Sequence, residues 1–176
     1  MPKVLIAEDE LIIADMIADV LAENGYDICG IARSVAEVIE LGDAHKPDLA
    51  VIDLHLADGS LGTAVAHRLR RHRSLGVLYM TGGANDITLT ANDGEACLRK
   101  PFALGDLVAA LKTVEGIVNG KDAEPPFPPG FEVLRHPLDQ HMPENPEMTA
   151  ANLKLPSPGP AIRHRARLNG SRQTFA

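Results

Sequence analysis

Acidic residues, a hydroxyl and an amine stand directly after short apolar segments at four places in this chain. Glu8 and Asp9 follow the first such segment, Asp53 follows a second, and Thr81 and Lys100 follow two later ones. Clustered carboxylates raise one another's pKa unless a cation joins them, and their hard oxygen atoms favour Mg²⁺. An aspartate beside Mg²⁺ can attack a phosphoryl group while a lysine neutralises the developing charge. These residue types predict a magnesium-dependent phosphoryl-transfer site, provided that the fold brings them together.

The elements that must position these residues are five short apolar segments, which alternate with amphipathic ones. The predicted strands are 4–7, 26–32, 49–52, 76–80 and 96–99, and the predicted helices are 11–23, 34–44, 61–71 and 104–118. This alternation predicts a doubly wound α/β fold with a five-stranded parallel sheet covered on both faces. Ligands of such sheets bind beyond the carboxyl ends of the strands, where the candidate residues stand.

Two local signals refine this prediction. Ser34 and Glu37 have the spacing of a capping box at the start of the second helix. Residues 85–94, between the fourth and fifth strands, are rich in threonine, asparagine, aspartate and glycine, which are poor helix formers. We expect a short fourth helix there, of at most about two turns.

Four motifs in the first part of the chain resemble those of bacterial response-regulator receiver domains. They are Val-Leu-Ile-Ala-Glu-Asp-Glu at 4–10, Leu-Ala-Val-Ile-Asp-Leu at 49–54, Met-Thr-Gly at 80–82 and Arg-Lys-Pro-Phe at 99–102. The resemblance covers about residues 1–120 and implies a flavodoxin-like fold of the receiver type. It also implies that a sensor histidine kinase donates a phosphoryl group to this chain, which then acts on a protein partner.

The resemblance implies that four of the candidate residues bind the metal. Asp53 would be the phosphoacceptor and a ligand of Mg²⁺, and Asp9 would be a direct ligand. Glu8 would act mainly through water, and His55 would contribute its backbone carbonyl.

The phosphoryl group itself would be bound by two further residues. The resemblance assigns this role to Thr81 and Lys100. The Lys100–Pro101 peptide resembles one that is cis in this family, which would direct the lysine side chain into the site. No enzymatic activity is expected beyond phosphorylation and dephosphorylation of Asp53 itself.

The chain departs from the common receiver pattern at two places. Most receivers carry a tyrosine or phenylalanine three residues before the lysine, and here that position is Cys97. Tyr79 is either a substitute ring for this position or a core residue. The interval from Thr81 to Lys100 is nineteen residues, and with the weak fourth helix it resembles receivers common in alphaproteobacteria.

The chain after residue 120 has a different composition. Ten of the thirteen prolines lie there, so we predict a receiver at 1–120 and a proline-rich tail or arm at 121–176 without an independent domain. This arrangement is typical of a stand-alone receiver. Apolar residues in the tail, together with numerous apolar positions on the last predicted helix, predict a homodimer formed through that helix and the arm.

The net charge of −7 belongs to the first part of the chain. Residues 1–120 carry ten lysines and arginines against eighteen acidic residues, whereas residues 121–176 carry seven against six. An acidic domain lacks the basic surface that displaces counterions from nucleic acid, so we expect no direct nucleic-acid binding by the receiver. We find no signal peptide or membrane span, and therefore expect a cytoplasmic protein.

Other interpretations of the same residues remain open. Glu8 and Asp9 could simply favour the positive end of the helix that follows them. A constitutive dimeric scaffold with a receiver fold is one alternative function. A phosphohydrolase that uses Asp53 as nucleophile is another. Enzymes of this kind that resemble the dehalogenases carry a second aspartate two residues later, where this chain has His55.

Overall fold

A computed structural model describes residues 1–56, 61–70, 74–82 and 88–135 of the chain. Its strands are β1 (Lys3–Ala7), β2 (Asp27–Ala32), β3 (Leu49–Asp53), β4 (Gly76–Thr81), β5 (Ala96–Arg99) and β6 (Phe131–Val133). Its helices are α1 (Leu11–Glu23), α2 (Val35–His45), α3 (Gly62–Arg70) and α4 (Leu104–Val118). The five predicted strands and four predicted long helices are confirmed, with bounds that differ by at most one or two residues.

The strands form one sheet in the order β2-β1-β3-β4-β5-β6. The first five strands run parallel, which confirms the doubly wound plan. The sixth strand runs antiparallel to β5 and was not predicted. Its three residues, Phe-Glu-Val, follow a proline-rich segment and are too few to give a periodic signal, so the strand is recognised only by its pairing with β5.

The core lies on both faces of the sheet. Buried residues of β1, β3, β4 and β5 pack on one face against α1 and α4, and on the other face against α2 and α3. All residues of β3 and β4 are buried. Parallel strands that are covered on both faces consist of nearly continuous apolar segments, which is the pattern that the sequence shows at these positions.

The helix signals are confirmed in part. The Ser34 hydroxyl accepts a hydrogen bond from the Glu37 amide at 3.3 Å, while the Glu37 carboxylate accepts from the Arg33 amide at 2.8 Å. The capping contact from Ser34 is therefore present. The Glu37 carboxylate binds the amide of Arg33 instead of the amide of Ser34 that a capping box would use. Of the segment 85–94, where a short fourth helix was predicted, residues 85–87 lie outside the described residues, and 88–94 contain a turn at 91–93 and no helix.

The turn that replaces the described part of that helix is held by side chains. The Asp93 carboxylate accepts hydrogen bonds from the amide and hydroxyl of Thr90, both at 2.8 Å. The Glu95 carboxylate binds the Arg70 guanidinium at 2.7 Å and accepts a hydrogen bond from the Val77 amide. Asp93 thus satisfies the Thr90 amide within the turn, while Glu95 ties the following segment to α3 and β4.

The last helix, α4, supplies a large part of the core. Four of the apolar residues noted in the sequence are buried in this chain's own core, namely Leu107, Val108, Leu111 and Val114. Three others, Leu104, Ile117 and Val118, are half-buried. Most of the apolar surface of α4 therefore packs within the chain, and the predicted homodimer has only these half-buried positions of the helix available to it.

Within the part of the chain that the structure describes, no helix combines the length and the apolar character needed to cross a membrane.

Candidate functional site

The predicted site residues meet at one edge of the sheet. Glu8 follows the last residue of β1, Asp53 ends β3, Thr81 ends β4, and Lys100 follows β5. Because these strands are parallel and adjacent in the sheet, their carboxyl ends lie side by side, as expected for a doubly wound fold. The sheet thus brings together residues that are up to 92 positions apart in sequence.

Lys100 joins two of the carboxylates. Its Nζ lies 2.7 Å from Asp53 Oδ2 and 2.9 Å from Glu8 Oε2. Glu8 is completely buried and Asp53 is 8% exposed, whereas a quarter of the Lys100 side chain is exposed. Two short charge-assisted hydrogen bonds in a largely buried site hold the ammonium in a fixed position.

Asp9 completes a group of three carboxylates. One carboxylate oxygen from each of Glu8, Asp9 and Asp53 lies within 4.8 Å of the other two. A single ammonium balances only part of the charge of this group. Hard oxygen donors with uncompensated negative charge fit a divalent cation such as Mg²⁺, which takes one or two carboxylates and retains water ligands.

Burial and the neighbouring charges shift the pKa values of Glu8 and Lys100. Desolvation raises the pKa of Glu8, and the charge of Asp53 raises it further, although Lys100 opposes both effects. Burial by itself would lower the pKa of Lys100, but its hydrogen bonds to Asp53 and Glu8 outweigh this and raise that pKa above its ordinary value. Lys100 is therefore a permanent cation at neutral pH.

Backbone hydrogen bonds fix the positions of these side chains. The Lys100 amide donates to the Thr81 carbonyl at 2.7 Å, which ties the end of β5 to the end of β4. Thr81 is 7% exposed. The Lys100–Pro101 peptide is cis, as the resemblance to receiver domains implied.

The loop after Asp53 also supports its carboxylate. The His55 amide donates to Asp53 Oδ1 at 3.1 Å, so the two carboxylate oxygens of Asp53 have different partners. The His55 residue is exposed.

One residue that positions the site, Gly62, was not found from the sequence. It begins α3, and a Cβ atom at this position would lie 2.6 Å from the carbonyl oxygen of Asp53 and 2.6 Å from Ile52 Cγ2. Its amide donates to the Leu54 carbonyl at 3.1 Å. Only a glycine allows α3 to approach the end of β3 this closely. A glycine at the start of a predicted helix was the available signal in the sequence. Only the packing shows that this glycine is needed for the close approach to Asp53.

The sequence model of the response regulator receiver domain matches residues 4–112. This chain belongs to that family. The match covers β1 to most of α4, and it includes all of the predicted site residues: Glu8, Asp9, Asp53, His55, Thr81 and Lys100.

Curated relatives of this chain match a stretch about as long as its receiver domain. The transcriptional regulatory protein PdtaR of Mycobacterium tuberculosis is 35% identical over 113 residues, which are 62% of this chain and 55% of PdtaR. The phyllosphere-induced regulator PhyR of Methylorubrum extorquens is 30% identical over 112 residues, which are 62% of this chain and 42% of PhyR. The matched part thus spans about half the length of these relatives.

A solved structure with the same fold is that of a putative response regulator from Chloroflexus aurantiacus. It is 28% identical, with a TM-score of 0.56, and the match covers 64% of this chain and 96% of that structure. The likeness therefore extends over nearly the whole of that structure and over about two thirds of this chain.

Cys97 occupies the position three residues before Lys100, where most receivers carry a tyrosine or phenylalanine. Cys97 lies half-buried on β5, next to Tyr79 on β4 and Glu132 on β6. The Tyr79 ring is completely buried, and its hydroxyl donates to the Asp93 carbonyl at 3.1 Å. Tyr79 is thus a core residue of this receiver that also anchors the turn before β5.

Proposed function

We propose that this receiver domain accepts a phosphoryl group on Asp53 from a sensor histidine kinase and then acts on a protein partner through its altered surface. The observation that carries the proposal is the arrangement of Lys100 Nζ 2.7 Å from Asp53 Oδ2, with the Glu8 and Asp9 carboxylates grouped around the same aspartate. An aspartate in contact with a fixed cation, and next to a further cation site, is suited to receive an anionic group.

In the proposed reaction, a carboxylate oxygen of Asp53 attacks the phosphorus atom of a phosphohistidine. The new O–P bond forms as the P–N bond breaks, and the histidine nitrogen leaves with the electron pair and takes up a proton. Lys100 neutralises charge on the transferred oxygens, and Thr81 donates a hydrogen bond to one of them. Both roles are those of groups positioned in advance for charge that develops during transfer.

Glu8, Asp9, Asp53 and the backbone carbonyl of His55 would hold Mg²⁺ in this proposal. When bound, the ion would supply electrophilic stabilisation of the phosphoryl oxygens. The support for this assignment is the three-carboxylate group and its incomplete balance by one ammonium. Loss of the phosphoryl group from Asp53 would use the same residues with water as the attacking group, and no other substrate is proposed.

The division of the chain is part of the same proposal. Residues 1–120 form the receiver, since α4 ends at Val118 and Gly120 has a φ of 78°. Residues 121–176 act as an arm without a fold of their own. We also propose a homodimer formed through α4 and this arm, supported by the half-buried apolar positions of α4.

The experiment that tests the function is incubation of the protein with acetyl phosphate, with and without Mg²⁺, followed by measurement of intact mass. We expect a gain of one phosphoryl group that depends on the metal and is absent in Asp53→Asn. The substitution keeps the size of the side chain and its ability to accept a hydrogen bond from His55, so loss of the adduct would report on the nucleophile itself.

The alternatives predict different results. A phosphohydrolase would turn over a small phosphate ester repeatedly, and would release phosphate without retaining an adduct on Asp53. A constitutive scaffold would take up no phosphoryl group from acetyl phosphate or from a kinase. Its mass in solution would be the same with and without a phosphoryl donor. Either result would overturn the proposal.

A further inference from the structure

The segment 121–135, here called the docking arm, covers the outer edge of the receiver sheet. Its strand β6 pairs antiparallel with β5, with Ala96 opposite Val133 and Leu98 opposite Phe131. Without this pairing, β5 would be an edge strand with a row of backbone donors and acceptors exposed to water. The docking arm thus covers the edge of the sheet that β5 would otherwise expose.

The docking arm is attached at both ends of β5. At the far end from the site, the Leu134 amide donates to the Glu95 carbonyl at 2.9 Å, and the Leu134 side chain is 8% exposed within the core. The Ala91 amide also donates to the Arg135 carbonyl at 3.2 Å. Apolar burial and backbone pairing therefore act together to hold the arm in place.

At the other end, the docking arm contacts the residue directly before Lys100. The Arg99 amide donates to the Gly130 carbonyl at 3.0 Å. Gly130 has a φ of 76°, and a Cβ atom there would lie 3.2 Å from Arg99 Cβ and 3.4 Å from the Arg99 carbonyl oxygen. The positive φ favours glycine at this position, and the contact with Arg99 leaves little room for a Cβ atom.

The backbone at Lys100 is consequently held from two sides. The arm binds the Arg99 amide, and β4 binds the Lys100 amide through the Thr81 carbonyl at 2.7 Å. The side chain that follows this doubly held backbone is the one whose Nζ contacts Asp53 and Glu8. Small displacements of a charge-stabilising group reduce its effect on a reaction strongly, so restraint of this backbone affects the chemistry at Asp53.

We propose that the docking arm is a positioning element for Lys100, with Gly130 as the residue through which it acts. The docked arm holds Lys100 in place for phosphoryl transfer, and release of the arm slows phosphorylation of Asp53. This inference rests on the proposed function, because it concerns the rate of that reaction. By thermodynamic linkage, a phosphoryl group that binds the positioned Lys100 also strengthens docking of the arm.

The test compares four full-length chains: wild type, Gly130→Ala, Leu134→Pro and Gly120→Ala. Gly130→Ala disturbs the contact with Arg99, and Leu134→Pro removes the hydrogen bond to Glu95. Gly120→Ala is the matched control, because Gly120 has a similar φ of 78° and a Cβ atom there would meet nothing within 4 Å. Three quantities are measured: the rate of phosphorylation by acetyl phosphate, the hydrogen exchange of the Arg99 amide, and the order of the Lys100 side chain by NMR relaxation.

We expect Gly130→Ala and Leu134→Pro to slow phosphorylation by roughly three- to tenfold, less than the roughly hundredfold or greater loss seen when a charge-stabilising donor is removed. Hydrogen exchange of the Arg99 amide and motion of the Lys100 side chain should both increase. The amides of β1 and β3 should keep their protection from hydrogen exchange. Gly120→Ala should behave as wild type in all three measurements. A purely structural arm would change the global protection and leave the Lys100 side chain as ordered as before.

The outcomes separate this inference from the proposed function. If wild type takes up no phosphoryl group from acetyl phosphate or from a kinase, the proposed function fails and the inference fails with it. If wild type is phosphorylated and the two arm variants show faster Arg99 exchange with unchanged phosphorylation rates, only the positioning role is overturned. Rapid Arg99 exchange in wild type would also overturn it, because the arm would then not be docked in solution.

Discussion

The ion pairs of Lys100 with Asp53 and Glu8 account for the burial of two acidic side chains at the sheet edge. Glu8 is completely buried, which is costly for a carboxylate unless it is paired. Lys100 provides that partner at 2.9 Å, and the Glu10 amide donates a second hydrogen bond at 3.3 Å. The same lysine is thus needed for folding of the site and, as proposed, for its chemistry.

The two tyrosines of the chain provide a test of burial that is independent of the site. Burial raises the pKa of Tyr79, and the nearby Asp93 carboxylate raises it further. Burial also raises the pKa of Tyr26, whose hydroxyl donates to Glu115 Oε2 at 3.2 Å. Both phenols therefore keep their protons in the folded state at pH values where an exposed tyrosine ionises.

The resulting prediction concerns stability at alkaline pH. Above about pH 10 the unfolded chain releases these protons and the folded chain does not, so the free energy of unfolding should fall as pH rises. Each tyrosine should contribute a slope of about 1.4 kcal/mol per pH unit, and Tyr79→Phe or Tyr26→Phe should each remove one such contribution. Urea unfolding at several alkaline pH values measures the slope. Equal slopes in wild type and both variants would contradict the prediction.

At the scale of elements, the junction between β3 and α3 determines how the phosphoacceptor is presented. Gly62 lets the first turn of α3 lie against the carbonyl of Asp53. The Gly62 amide and the Leu54 carbonyl then close the loop that includes His55. Any added atom at Gly62 has to displace either the strand end or the helix.

We expect Gly62→Ala to lower the free energy of unfolding by about 1–3 kcal/mol, as other insertions into packed regions do. It should also slow phosphorylation of Asp53. The matched control is Gly116→Ala in α4, where an added Cβ atom would have its nearest contacts at 3.9 Å. That substitution should stabilise the protein by about 0.5–1 kcal/mol, because alanine is the better helix former. Urea denaturation of both variants measures the two effects, and a stabilising Gly62→Ala would show that the close packing is absent.

Helix α1 presents an apolar surface beside the site. Leu11, Ile12 and Met16 are 51%, 78% and 50% exposed. A shallow groove next to them is lined by Ile13 and Met16 of α1 and by residues that include Lys100 and Phe102. Exposed apolar residues that adjoin a reaction site are suited to bind the protein that delivers the reactant.

The prediction at this surface is that Ile12→Asp reduces phosphorylation by a sensor histidine kinase by about tenfold, the effect of losing one well-placed apolar contact. Phosphorylation by acetyl phosphate should be unchanged, because the small donor needs no docking surface. Ile12→Val serves as the control and should retain most of the kinase-dependent rate. If both donors were affected equally by Ile12→Asp, the substitution would have damaged the site itself.

At the scale of the whole molecule, the described chain has a sheet that is buried on both faces and closed at one edge by its own docking arm. The opposite edge is β2, whose residues are mostly half-buried. The apolar residues of α4 that are left for contacts with a second copy are the half-buried positions near its two ends. We therefore expect the proposed homodimer to depend on the arm more strongly than on α4.

The proposed homodimer leads to a prediction about mass in solution. The full chain should have twice its 18.8 kDa by light scattering, and a chain ending at Gly120 should be a monomer at equal concentration. A chain ending at Arg135 keeps the docking arm and so shows whether residues 136–176 are needed. Equal masses for the full chain and the chain ending at Gly120 would exclude a dimer that depends on the arm.

The sequence by itself determined the five parallel strands, the four long helices and the meeting of Glu8, Asp53, Thr81 and Lys100 at one edge. The physical reason is that apolar periodicity is a local property that distinguishes strands from helices. Strand–helix alternation then leaves few arrangements of a parallel sheet, and all of them place the carboxyl ends of the strands together. The positions of the site residues follow from the strand ends alone.

Only the tertiary structure decided the remaining features. These are the strand β6 on the edge of β5, the turn at 91–93 in place of a helix within 88–94, and the close packing of Gly62 on Asp53. The strand β6 depends on atoms that are distant in sequence, such as those of Arg99 and Gly130, whose proximity no local pattern encodes. The turn combines local hydrogen bonds from Thr90 to Asp93 with the more distant contacts of Glu95 with Arg70 and Val77. Short segments without a strong propensity take the structure that their neighbours in space impose on them.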